Sequence, residues 1–137
     1  MLTCRITPVV GFALALGGCA SLPGAQCSTA QERAIQDTLY FGTGITGGGA
    51  VSTDDWAMFL TAVVTPRFPQ GLTVSQAAGQ WRGDDGAIVQ ENSYVLQLIH
   101  PDDATSTQAV TEIVDAYKTQ FRQEAVLRVS ESACISF

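Results

Sequence analysis

Two helical apolar stripes, each set between runs of β-prone residues, constrain this 137-residue chain more than any other feature it has. In the first, Trp56, Phe59, Leu60, Val63 and Val64 fall at i, i+3, i+4, i+7 and i+8, the spacing of one face of a 3.6-residue helix. Ser52-Thr53-Asp54-Asp55 precedes it as a capping-box-like start. The Ser52 hydroxyl can accept the amide of the third helical residue, and acids favour the positive helix end. Thr65-Pro66-Arg67-Phe68-Pro69 stops it, because proline has no amide to donate and restricts the residue before it. The second stripe is Val110, Ile113, Val114, Tyr117 and Phe121, opened by Pro101-Asp102-Asp103.

The runs between the stripes predict strands over 35–42, 72–82 and 87–99, and one last, bent strand over 125–129 and 133–137. Gly83-Asp84-Asp85-Gly86 joins the middle two as a turn. In 87–99, Tyr94, Leu96 and Leu98 alternate with Ser93, Val95, Gln97 and Ile99, and form the expected core face. The order βαββαβ predicts a ferredoxin-like α+β fold, a four-stranded antiparallel sheet with two helices on one face and its first and last strands side by side.

The first residues are an address. Met1-Leu2-Thr3-Cys4-Arg5 carries one basic residue, and 6–16 is apolar or small almost throughout, the order of a secretory signal. That run is shorter than the ~20 apolar residues a spanning helix needs, and Pro8 and Gly11 weaken it. It ends in Leu16-Gly17-Gly18-Cys19, which resembles the lipobox of bacterial lipoproteins, where the peptide is cut before the cysteine and its thiol is diacylated. The resemblance implies a cleaved signal over 1–18 and a lipid on Cys19. Residues 19–34, small and polar, then form a tether to a single domain over 35–137. Two or more acyl chains hold a protein stably on a membrane. Ala20 stands where an Asp would resemble an inner-membrane retention signal, so the expected place is the periplasmic side of the outer membrane.

Removing 18 of the 137 residues leaves 119, enough for one core. With 7 basic and 13 acidic residues the net charge is −6, or −7 once Arg5 is lost. That balance argues against nucleic acid and anionic headgroups as partners. Of four cysteines, Cys4 and Cys19 belong to the signal, leaving Cys27 and Cys134 near the two ends of the mature chain. In an oxidising compartment they read as a disulfide. Two free thiols or half of a metal site are the alternatives, although there is no C-x-x-C and a lone histidine leaves tetrahedral zinc short of ligands. Antiparallel pairing of the first and last strands would bring the two cysteines together. No cofactor or metal is expected.

Through Leu39-Tyr40-Phe41-Gly42, Thr65 to Thr73, Gly79-Gln80-Trp81-Arg82-Gly83 and Val126-Leu127-Arg128-Val129, the mature domain resembles a family of small bacterial lipoproteins known as domain of unknown function 3574. The resemblance implies the fold and the address and supplies no reaction.

Candidate chemistry is sparse. The glycine-rich stretch 42–49 lacks the Gly-Lys-Ser/Thr ending of a phosphate loop, and Asp54 and Asp55 follow where an anion would need amides. Arg82-Gly83-Asp84 spells an adhesion tripeptide that turn chemistry explains as well. His100, the only histidine, reads as a strand-end residue beside a helix cap, or else as a general base. With the hairpin paired symmetrically about Asp84 and Asp85, Gln80, Arg82, Glu91 and Gln97 share the face away from the helices. Tyr40 and Arg128 join them from the first and last strands, and Trp81, of opposite parity, belongs to the core. The expectation is a non-enzymatic binding or structural module whose uncovered sheet face meets an envelope protein, a second copy or a small ligand. The alternative is a small envelope enzyme with Glu91 or His100 as acid/base and Arg82 as anion anchor.

Overall fold

The computed structural model describes residues 27–45, 47–82 and 86–137. The expected signal segment, Cys19 and the centre of the predicted turn at 83–85 lie outside them. The order is β1 (Glu32–Gly42), α1 (Thr53–Phe59) continuing as a π-helical turn (Leu60–Val64), β2 (Thr73–Arg82), β3 (Ile88–His100), α2 (Ala104–Phe121) and β4 (Leu127–Ile135). The strands form one sheet in the order β2-β3-β1-β4, every neighbouring pair antiparallel. This is the expected ferredoxin-like arrangement, with β1 and β4 side by side. β1 begins at Glu32 rather than at residue 35, and β4 runs unbroken.

Strand parity builds the core. Leu39 and Phe41 on β1 stand opposite Leu96 and Tyr94 on β3, and all four are buried, with Leu98, against Trp56, Phe59, Val64, Val110, Ile113, Tyr117 and Phe121 from the helices. Both helices therefore cover one face. Phe41 is the centre of an aromatic cluster, 4.6 Å from the Tyr117 ring and 5.2 Å from Trp56. Trp56 in turn stacks on Tyr94 at 4.5 Å with the planes 3° apart. Tyr117 donates its hydroxyl to the Gly42 carbonyl at 2.9 Å, and burial pushes that hydroxyl's pKa up.

The helix starts obey their sequence signals. Asp55 N donates to Ser52 Oγ at 3.1 Å and Ser52 N to Asp55 Oδ2 at 3.1 Å, a complete capping box. Asp103 caps α2 by accepting from Ser106 N at 2.7 Å. The far end of the first helix departs from an ideal α-helix. Thr65 N bonds to Leu60 O, five residues back, and this wider turn lets Phe59 and Val64, also five apart, both be buried.

A disulfide joins Cys27 to Cys134, with the Cα atoms 5.4 Å apart and 107 residues between them in sequence. It ties the segment leading into β1 to the end of β4, where Arg33 pairs with Cys134. Cys27, inside the stretch expected to be tether, is thus held to β4.

Candidate functional site

Among the described residues, the one charged side chain fully buried is Asp37, which shares the core-facing parity of Leu39 and Phe41. β4 brings Arg128 to it: Nε donates to Oδ1 at 2.8 Å and Nη2 to Oδ2 at 2.6 Å, a bidentate pair. The end of β3 brings His100, whose Nε2 lies 2.9 Å from Oδ2 while Nδ1 lies 2.8 Å from the Pro101 carbonyl. Burial pushes the Asp37 carboxyl up. The hydrogen bonds from Arg128, His100 and Ser130, together with the Arg128 charge, outweigh it and hold the pKa below the usual 3.8. With its side chain 2% exposed, His100 meets no solute. The cluster is a polar clasp across β1, β3 and β4, and His100 holds a core carboxylate as a strand-end residue. Sequence reasoning passed over Asp37, although its parity with two core residues was a readable signal, because a charge on a core face must have partners.

The hairpin register redistributes the other candidates. Arg82 pairs with Ile88, Gln80 with Gln90 and Gly79 with Glu91, so five residues, 83–87, separate the paired ends instead of four. A one-residue slip moves a strand's side chains to the opposite face. Gln80 and Arg82 therefore lie on the helix side of the sheet, as does Arg128, while Tyr40, Glu91 and Gln97 lie on the uncovered side. The six are not brought together as one face. Trp81 moves the other way: it is 52% exposed on the uncovered face, where the sequence placed it in the core.

That uncovered face carries exposed large apolar residues among its polar ones. Tyr40, Trp81, Val89, Ile99, Leu127 and Val129 are all exposed large apolar residues, and strand registers put every one of them on this side. Its charged residues are Glu32, Glu91 and Glu131, with no basic residue among the described positions of the face. Glu91 is already engaged: Oε1 accepts from Gly44 N at 2.7 Å, tying the glycine-rich loop to β3. Gly42 is required for this, since a Cβ there would stand 2.7 Å from the same oxygen.

Glu91 and His100 lie on opposite faces, and Arg82 stands at the hairpin end opposite Ile88. The acid/base arrangement expected of Glu91 or His100 beside Arg82 is not assembled. Among the described residues no group of three or more His, Cys, Asp or Glu side chains could hold a metal ion. No helix among them is long and apolar enough to cross a membrane.

On the helix side, beyond α1, a cleft of about 440 Å³ opens between the segment 50–53, with Thr43, and the β2–β3 arm. Gln76, Ala78, Asn92 and Tyr94 line it from the arm.

Two solved structures share this fold. A phage SAM lyase in complex with S-methyl-5'-thioadenosine matches with a TM-score of 0.57 at 15% identity, over 85% of this chain and 97% of that one. A phage SAM lyase in the apo state matches with a TM-score of 0.53 at 16% identity, over 77% and 90%. Among curated proteins, none matches the sequence. Residues 36–137 match the model of a family described as a protein of unknown function, DUF3574, and the chain belongs to that family.

Proposed function

We propose that this protein is a lipid-anchored envelope domain that serves as a non-enzymatic binding module, docking another protein on the uncovered face of its sheet. The observation that carries the reading is the set of exposed apolar side chains on that face: Trp81 beside Val89 at the hairpin end, and Tyr40 beside Leu127, followed by Val129, with Ile99 on β3. Clusters of large apolar side chains left in solvent mark interaction surfaces. Four strands ~4.8 Å apart, with residues rising ~3.4 Å each along the 11 of β1, give a face on the order of 600–700 Å². A standard interface buries about 800 Å² per partner. The acidic residues of the face, Glu32, Glu91 and Glu131, favour a partner carrying basic groups over a second copy of this chain, which would set like charges together.

The anchor belongs to the same reading. Leu16-Gly17-Gly18-Cys19 supports a lipid on Cys19, and the disulfide at Cys27 sets the fold only a few residues from it. A partner would then have to come within that short reach of the membrane. The likeness to the phage enzyme is one of fold, and a fold hosts many functions. Nothing of its reaction is carried over.

Photo-crosslinking in cells tests the docking face. A photoreactive residue at Ile99 or Val129 is expected to give an adduct with another protein that the same residue at Thr111, exposed on α2, does not give. Adducts from all three positions alike, from none, or only of twice the chain mass would overturn the reading. For the anchor, labelled palmitate should enter the wild type and not Cys19→Ala.

A further inference from the structure

We propose that the cleft between Thr43, 50–53 and the β2–β3 arm is a binding site for a neutral saccharide bearing acetamido groups. Its volume of about 440 Å³ is within the range of small-ligand sites, roughly 300–1,000 Å³. Its lining contains no charged residue, and Thr43, Thr53, Gln76, Asn92 and Tyr94 bring polar side chains to it. A phosphate or carboxylate ligand would find no counter-charge in such a wall. The Thr43 and Ser52 hydroxyls are already bonded to Asn92 O and Asp55, so a ligand that both donates and accepts would find its partners in the Gln76 and Asn92 side-chain amides, each of which does both.

The arm repeats this chemistry in register. Gln76 stands opposite Tyr94, Ala78 opposite Asn92 and Gln80 opposite Gln90, so Gln76, Asn92, Gln80 and Gln90 point to one side of the sheet, the side of the cleft. All four are exposed. Gln123 donates its side-chain amide to Gly44 O, whereas none of these four side-chain amides bonds another protein group among the described residues. Ala78, between Gln76 and Gln80, leaves room for a ring to lie across the strand. A planar amide offers one N–H edge and one carbonyl edge, the complement of an acetamido group. Tyr94 supplies an aromatic edge, held by its parallel stack on Trp56. Among the described residues, Trp56 Nε1 is the one buried side-chain polar atom without a partner, an unused donor one ring away from the cleft.

The site lies on the helix side of the sheet, so it stands or falls independently of the docking face. The test is a titration of the full chain in detergent micelles with N,N'-diacetylchitobiose, followed by backbone amide NMR shifts, with adenosine as a parallel arm. The expected result is saturable shifts at Thr43, Ser52, Gln76 and Asn92. Gln76→Ala and Asn92→Ala should each weaken binding about threefold to tenfold, and Thr111→Ala, exposed on α2, should leave it unchanged. Both amides are exposed, so the variants should keep the wild-type spectrum elsewhere. Absence of saturable shifts, shifts remote from the cleft, indifference to both variants, or binding of adenosine in place of the sugar would each overturn the proposal.

Discussion

Asp37→Asn is the most informative single change the fold offers. It keeps the side-chain volume, so no cavity forms, and it removes the charge at the centre of the clasp. In the wild type Oδ1 accepts from Arg128 Nε, while Oδ2 accepts from Arg128 Nη2 and faces His100 Nε2. An amide has one oxygen. Whichever way it is turned, its NH2 group meets a donor, and at least one charge-assisted hydrogen bond worth about 1.5–3 kcal/mol is lost. The Arg128 charge, only partly exposed, also loses its counter-ion. Breaking a buried pair by removing one partner costs about 3–5 kcal/mol, and we expect a loss in that range at pH 7. Against a total stability of about 5–15 kcal/mol for such a domain, the loss is large.

Urea unfolding with the disulfide intact, followed by tryptophan fluorescence, measures the loss through the shift in midpoint at constant slope. Because the folded pKa of Asp37 is depressed, its stabilising contribution is present above the usual value of 3.8 and is lost as pH falls through the lower folded value. The gap between wild type and Asp37→Asn should therefore be full at pH 7 and close as the pH drops below about 4. A difference under about 1 kcal/mol at pH 7, or one as large in acid as at neutrality, would refute the account of the clasp.

Reducing the disulfide, or the pair Cys27→Ser and Cys134→Ser, should cost about 4–5 kcal/mol on the chain-entropy model for the 107-residue separation, measured as the drop in urea midpoint. Gly42→Ala should displace the Glu91 carboxylate from Gly44 N and cost about as much as Glu91→Ala, about 1–3 kcal/mol. The double variant should cost no more than either alone, and additive losses would show that the two do not act through one contact. Tyr117→Phe keeps the ring in the aromatic cluster but leaves the Gly42 carbonyl without its donor, and should lower stability by about 1 kcal/mol in the same assay.

Much of this architecture was legible in order and period. The stripe from Trp56 to Val64, the capping residues Ser52 and Asp103, and the alternation of Tyr94, Leu96 and Leu98 are local signals, each set by chain geometry within a few residues. Strand order followed from them, and with it the meeting of Cys27 and Cys134. The π-helical turn at Leu60–Val64 left no sequence mark, since the apolar spacing fits an α-helix almost as well.

The hairpin register and the clasp were decided only in three dimensions. One residue more between Arg82 and Ile88 exchanged the two faces of the arm, bringing Trp81 into solvent and Gln80 and Arg82 to the helix side. Residues in a turn do not announce how many of them pair, whereas long-range packing of Val74 opposite Leu96 holds the register in place. Asp37, His100 and Arg128 are far apart along the chain, and their clasp exists because β1 is the one strand that β3 and β4 both flank. By itself the sequence determined the signal-like start, the six elements and the cysteine pair. Which side chains face solvent together, and so what the domain can bind, depended on pairing between strands, an energy summed over contacts that no local stretch contains.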